Sequence, residues 1–83
     1  MSFVVEVLYE SPSDSQREAA VSDWVSRFGG RLSFREEPAS ENSGPICLTF
    51  EFHDLQQAQE AAACLRQQGE HVEGPADYGD DGS

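Results

Sequence analysis

The chain has 83 residues, of which 16 are Asp or Glu and five are Arg, so its formal net charge is −11. A chain of this length supports one domain with a single thin core and leaves no room for a deep substrate cavity. Because nucleic acids and anionic membranes are bound mainly through Lys and Arg, the charge argues against both as partners.

The sequence predicts a cytoplasmic protein. Its first ten residues, MSFVVEVLYE, lack the basic segment of a secretory signal, and no apolar stretch is long enough to span a bilayer. The two cysteines, Cys47 and Cys64, form a poor disulfide framework. We therefore expect both to be free thiols in a reducing compartment.

The first predicted element is a strand over residues 3–9, where β-branched and aromatic residues alternate with a mixed set. A helix follows after a short polar break. Ser15 and Glu18 fit a capping box, in which each side chain satisfies the other's free backbone N–H. Ser13 and Asp14 are the alternative caps.

The first helix is predicted to bury one apolar stripe, because its apolar residues recur at spacings of three and four. Asp23 and Arg27 lie four residues apart and are expected to form an ion pair on the exposed side. Gly29 and Gly30 supply the left-handed stop. The predicted stripe consists of Ala20, Val21, Trp24, Val25 and Phe28.

Two alternating stretches predict the second and third strands. In RLSFREE, Leu32 and Phe34 are expected to face the core, and in PICLTFEF, Phe50 and Phe52 are expected to face the same way. A regular pairing of the two strands brings opposite charges together, which favours that register. The expected cross-strand pairs are Leu32 with Phe50, Phe34 with Leu48, and Arg31 with Glu51.

Asp54 is the predicted N-cap of a second helix, at the start of the signature Asp-Leu-Gln-Gln57. Gly69 ends this helix, and a short fourth strand follows around Val72. We assign residues 1–75 to the domain and residues 76–83 to an acidic tail, in which Tyr78 is the one residue expected to dock. The apolar stripe of the second helix is Leu55, Ala58, Ala61, Ala62 and Leu65.

The element order β-α-β-β-α-β predicts an α+β fold of the ferredoxin-like, split βαβ type. Right-handed crossovers would place both helices on one face of a four-stranded antiparallel sheet with strand order 4-1-3-2. The opposite face would then be open, with Arg31, Ser33, Arg35 and Glu73 at its edges. The candidate binding residues on this open face are Val4, Glu6, Leu8, Cys47, Thr49, Glu51 and His71.

No spacing of Ser, His, Asp or Cys suggests a catalytic arrangement, so we expect a non-catalytic interaction or regulatory module without a cofactor. The partly apolar open face predicts a homodimer through that face, and the acidic charge leaves a basic protein partner as the other possibility. RNA-recognition motifs have the same element order, but they need exposed aromatic rings on strands one and three. Here Cys47 and Thr49 occupy those positions.

Two alternatives are open. The first is an inhibitor or decoy whose acidic surface binds a basic protein. The acidic residues that suggest it are Glu36, Glu37, Glu41, Asp77, Asp80 and Asp81. The second is a metal-binding protein or metal-assisted enzyme that uses Glu6, Cys47 and His71, with zinc as the metal suited to these ligands.

Overall fold

The computed structural model describes residues 2–39 and 44–77. The described residues form one four-stranded antiparallel sheet and two helices, and the strand order β2-β3-β1-β4 is the predicted one. Neither helix has the length and apolar character needed to cross a membrane. The elements are β1 (Phe3–Glu10), α1 (Ser15–Arg27), β2 (Arg31–Glu36), β3 (Pro45–Phe52), α2 (Leu55–Gln67) and β4 (His71–Asp77).

The fourth strand is longer than predicted. It continues to Asp77, because Phe3 and Val4 of β1 pair with Asp77 and Ala76. The strand therefore takes in the first two residues of the segment predicted to be a tail. The predictions for Glu41, Tyr78, Asp80 and Asp81 fall outside the described residues.

One apolar core lies on a single side of the sheet. Phe50 and Phe52 are fully buried, as predicted, and alternate residues of β1 and β3 are buried with them. Buried residues of α1 and α2 belong to the same cluster, so both helices cover the same face. The buried residues are Val5, Val7, Tyr9, Val21, Val25, Ile46, Leu48, Phe50, Phe52, Ala58, Ala61, Ala62, Leu65 and Val72.

Asp14, and not Ser15, caps α1. The backbone of Asp14 is extended, and its Oδ1 accepts a hydrogen bond from the Arg17 N–H at 3.0 Å. The predicted capping box with Ser15 is wrong, because Glu18 accepts hydrogen bonds from Tyr9 and Arg35 instead.

The other predictions for α1 hold in part. The ion pair between Asp23 and Arg27 is present, with 3.0 Å between the charged atoms. The helix ends before Gly29, whose φ of +84° is the expected left-handed conformation. Ala20 is exposed, so the buried stripe is narrower than predicted.

The second helix follows its prediction closely. Asp54 is the N-cap, and its Oδ2 accepts from the Gln57 N–H at 2.9 Å. Four of the five stripe residues are buried. Leu55, in the first turn, is instead 42% exposed and lines a groove with Gln59 and Ala63.

A β-bulge in β2 overturns part of the predicted strand pairing. Arg31 lies opposite Glu51 and Leu32 opposite Phe50, as predicted, but the register shifts between Leu32 and Phe34. Leu32 stays 44% exposed, because β2 is an edge strand. A bulge inserts one extra residue, so the side chains beyond it change faces.

The shift reverses the expected positions of Phe34 and Arg35. Phe34 lies opposite Thr49 rather than Leu48 and is 59% exposed. Arg35 lies opposite Leu48 and turns toward α1, where its Nε donates to Glu18 at 2.7 Å. The predictions of an inward Phe34 and of Arg35 at the edge of the open face are therefore both wrong.

Candidate interaction surface on the open sheet face

The strand pairing arranges the open face into three rows that run across the sheet. Directly opposed residues on neighbouring strands have Cβ atoms about 4.5–5.5 Å apart, so members of a row are in contact range. The central row is Phe34, Thr49, Glu6 and Glu73. The flanking rows are Arg31, Glu51, Val4 and Ala76, and Glu36, Cys47, Leu8 and His71.

All seven predicted candidate residues lie on this face. On β1 and β3 they alternate with core residues and are half-buried, although no helix covers them. His71 is exposed and lies opposite Leu8. The half-buried residues are Val4, Glu6, Leu8, Cys47, Thr49 and Glu51.

Five of the seven candidates line one shallow recess of about 290 Å³, beside the edge strand β2. The recess also includes three residues of β2 that were not among the candidates: Ser33, Phe34 and Glu36. Leu8 and His71 instead line a separate cleft of about 510 Å³ that reaches Tyr9 and Arg17. The structure therefore divides the predicted site in two.

Phe34 is the principal residue that sequence reasoning missed. It is the most exposed large hydrophobic residue described, and the bulge places it at the end of the central row. Its ring borders the recess together with the half-buried side chains of Val4 and Cys47. Regular alternation in RLSFREE predicts the opposite face for Phe34, and the contact of Arg35 with Glu18 that accompanies the shift is visible only in the structure.

Carboxylates surround the apolar part of the open face. Glu51 is compensated, because Arg31 donates to its Oε1 at 3.2 Å, and this hydrogen bond lowers the pKa of Glu51. Within the described part of the chain, no hydrogen bond or ion pair reaches the carboxylates of Glu6 and Glu36. The rim of the recess therefore carries more negative charge than the ion pair between Arg31 and Glu51 neutralises.

Glu6 and Glu73 form a like-charged pair. They lie directly opposite each other on β1 and β4, where like charges are destabilising. Among residues 2–39 and 44–77, the neighbour that can offset this charge is His71, whose Nε2 lies 3.4 Å from the Glu73 carboxylate and which is cationic only when protonated. The centre of the open face therefore carries two opposed carboxylates, and neither is bound to an arginine of the chain.

None of the five arginines is available to neutralise Glu6, Glu36 or Glu73, because each is bound to another group of the chain. Four are bound to carboxylates: Arg17 to Glu70, Arg27 to Asp23, Arg31 to Glu51, and Arg35 to Glu18 and Glu37. Arg66 donates to the carbonyls of Val72 and Gly74 at 3.1 and 3.0 Å. The net charge of −11 thus reflects the excess of carboxylates over the five arginines.

Cys47 is a half-buried thiol whose surroundings disfavour the nucleophilic thiolate. Burial raises its pKa, with smaller contributions of the same sign from Glu6 and other carboxylates. A raised pKa keeps sulfur protonated at neutral pH and therefore unreactive. Cys47 lies on the open face and Cys64 on α2, and both are free, as expected.

The predicted metal ligands do not come together. Cys47 and His71 both lie opposite Leu8, whereas Glu6 lies one row away, opposite Thr49 and Glu73. Within residues 2–39 and 44–77, no group of three or more His, Cys, Asp and Glu residues could hold a metal ion. This placement weakens the metal-binding alternative.

A second polar cluster lies on the helix side, where β1, α1 and β2 meet. The Tyr9 hydroxyl donates to Glu18 and accepts from the Asp14 N–H at 2.8 Å, and Arg35 donates to both oxygens of Glu18. Arg35 lowers the pKa of Glu18, while burial and the hydrogen bond to Glu18 raise that of Tyr9. Since each polar group has its partner, we assign this cluster to stability.

No protein-family model matches the chain, and no curated protein shows significant similarity to it. Function therefore has to be inferred from the chemistry of the open face.

Proposed function

We propose that this protein is a small acidic interaction module of the ferredoxin-like type, which binds another protein through its open sheet face and catalyses no reaction. The observation that carries this proposal is the outward position of Phe34, 59% exposed beside the recess. A single exposed aromatic is ordinary on a protein surface. Here the ring adjoins a concave, half-buried patch, which is how anchor residues of interfaces are placed.

The size of the recess favours a protein partner over a small molecule. Small-molecule sites usually enclose about 300–1,000 Å³ and bury most of the ligand. At about 290 Å³, this recess is at the lower limit and is open on a sheet surface. It is suited to one or two side chains of a partner.

Charge favours a basic partner over a second copy of this chain. Two open faces placed together would bring the carboxylates of Glu6, Glu36 and Glu73 of one copy against those of the other. Salt screens charges separated by more than about 10 Å at 0.1 M, but it does not relieve carboxylates in direct contact. A surface with Arg or Lys around an apolar centre has the complementary pattern.

The decoy function remains the second candidate, because all five arginines are bound to other groups of the chain and carboxylates outnumber them. A decoy would bind basic proteins through general charge, with no dependence on Phe34. An interaction module of the proposed kind depends on both Phe34 and charge. The dependence on Phe34 therefore separates the two candidates.

The test compares the wild-type chain with Phe34→Ser, each immobilised and exposed to lysate of the source cells. Leu32→Ser and Leu55→Ser are matched controls, because both remove an exposed apolar side chain on the other side of the sheet. We expect a defined set of proteins that Phe34→Ser loses and both controls retain. Equal retention by Phe34→Ser and wild type contradicts the proposed function and favours the decoy.

A further inference from the structure

We propose that the central row of the open face, Phe34, Thr49, Glu6 and Glu73, binds an arginine side chain of the partner protein. This inference rests on the proposed function and specifies the chemistry of its partner. The row changes in character from one end to the other: an aromatic ring on β2, a small hydroxyl on β3, and carboxylates on β1 and β4. An arginine side chain changes in the same order, from apolar stem to cationic head.

The spacing of the row fits this arrangement. Neighbouring strands lie about 4.7–4.9 Å apart, so the row runs perpendicular to the strands from Phe34 to the two carboxylates. Phe34, Thr49 and Glu6 border one recess, so a single side chain lying in it contacts both the ring and a carboxylate. The guanidinium then lies at Glu6, and Glu73, on the next strand and outside the recess, is directly opposite that carboxylate.

The like-charged pair supplies a second reason for a cationic occupant. Glu6 and Glu73 face each other across β1 and β4, and no arginine of this chain is available to them. A cation placed between two opposed carboxylates gains attraction from both and relieves their repulsion. This pair is a local departure from favourable cross-strand pairing, and such departures are expected at functional sites.

Arginine matches the site better than lysine does. Its planar guanidinium presents a fork of donors that can bond two carboxylates at once, and it is less strongly hydrated than an ammonium group. Its apolar stem can pack against the exposed ring of Phe34 while the guanidinium lies at the carboxylates. Lysine would form one point contact and lose more hydration.

The experiment is a titration of the full ¹⁵N-labelled chain followed by backbone amide shifts. The probe is the peptide acetyl-Gly-Leu-Arg-Leu-Gly-amide, and the matched control replaces arginine by citrulline, which has the same shape and no charge. We expect saturable shifts concentrated at the four residues of the central row. Binding of the citrulline peptide should be at least tenfold weaker.

Variants that remove the same charge at different places distinguish binding at the central row from nonspecific attraction of the peptide to an acidic protein. Glu6→Gln should weaken binding of the arginine peptide at least fivefold. Glu60→Gln removes the same charge from the exposed side of α2 and should leave binding within twofold of wild type. Phe34→Ser should weaken binding, whereas Leu32→Ser should not, and preserved amide dispersion confirms folding of each variant.

Three results would overturn the inference. Shifts spread over all acidic surfaces, with equal losses in Glu6→Gln and Glu60→Gln, would mean charge attraction without a site. Equal binding of both peptides would remove the role of the guanidinium. Central-row shifts that depend on protein concentration without peptide, together with a doubled mass in light scattering, would make a second copy the occupant.

Failure here is distinguishable from failure of the proposed function. If the peptide does not bind the central row while lysate proteins are still lost in Phe34→Ser, the partner is a protein of other chemistry. If the lysate proteins do not depend on Phe34, the proposed function itself is wrong, whatever the peptide does.

Discussion

Glu6 lies at the centre of the open face with a second carboxylate directly opposite it on the neighbouring strand. The chain keeps this pair although a neutral residue at either position would suit the sheet better. The sequence placed Glu6 on the correct face, because alternation in β1 is regular there. It did not predict the opposing Glu73, since that pairing depends on the register and irregularity of β4.

Replacing Glu6 by Gln should therefore stabilise the fold. Removing one member of an opposed like-charged pair relieves about 0.2–1 kcal/mol of repulsion in the free energy of unfolding. Urea unfolding at neutral pH measures the difference. Glu60→Gln is the control for the change in net charge, and a loss of stability in Glu6→Gln relative to that control would contradict the repulsion.

Neutralising Glu18 should have the opposite effect on stability, because its carboxylate is hydrogen-bonded within the fold. It accepts hydrogen bonds from Tyr9 and Arg35, and Arg35 holds its pKa below the ordinary value. Glu18→Gln should lower the free energy of unfolding by about 1 kcal/mol at neutral pH, allowing for solvent screening.

The pH dependence of this loss is fixed by the direction of the pKa shift. A depressed pKa means that the contribution of Glu18 is fully present above the unfolded value of about 4.3 and disappears as pH falls through the folded value. Urea unfolding of wild type and Glu18→Gln should thus converge in acid. A difference that persists at the lowest pH would mean that shape, and not charge, explains the loss.

At the scale of elements, local signals located both helices well. Asp54 and its Gln57 contact, and the alanine stripe of α2, follow directly from spacing. The cap of α1 was ambiguous because Ser13, Asp14 and Ser15 all have suitable side chains. Tertiary contacts decided it, since Glu18 bonds to Tyr9 and Arg35 rather than to the helix end.

The bulge in β2 lay beyond sequence reasoning. Alternation in RLSFREE is equally compatible with a regular strand, and the predicted pairing of Arg31 with Glu51 is in fact present. The shift begins only after Leu32. It lets Arg35 reach Glu18 on α1, a contact between distant parts of the chain that no short stretch encodes.

Deleting Ser33 tests this account of β2. Ser33 lies between Leu32 and Phe34 and has no paired residue on β3. The deletion should therefore leave Phe34 opposite Thr49 and Arg35 opposite Leu48. Nuclear Overhauser contacts between β2 and β3 measure the register. Loss of the Arg35 contact with Glu18, or burial of Phe34, would show that Ser33 is not the extra residue of the bulge.

At the scale of the whole molecule, self-repulsion opposes compactness. The net charge is −11, because 16 Asp and Glu residues stand against five arginines, each of which already has a partner within the chain. The net charge and the number of helices and strands could be predicted from the sequence. The distribution of charge was not, because it depends on which carboxylates the arginines reach.

Salt should accordingly stabilise this protein. Raising NaCl from about 0.01 M to about 1 M shortens the Debye length from about 30 Å to about 3 Å and screens the long-range repulsion. The midpoint of urea unfolding should rise over this range. A falling midpoint would mean that the internal arginine pairs contribute more to stability than the repulsion costs.

The central claim is that the open face, with Phe34 at one end and two opposed carboxylates at the other, receives an arginine of a partner. The most direct measurement is the affinity of the arginine peptide for two variants of equal charge, followed by amide shifts. We predict that Glu6→Gln binds at least fivefold more weakly than Glu60→Gln. Equal affinities for the two variants would contradict the claim.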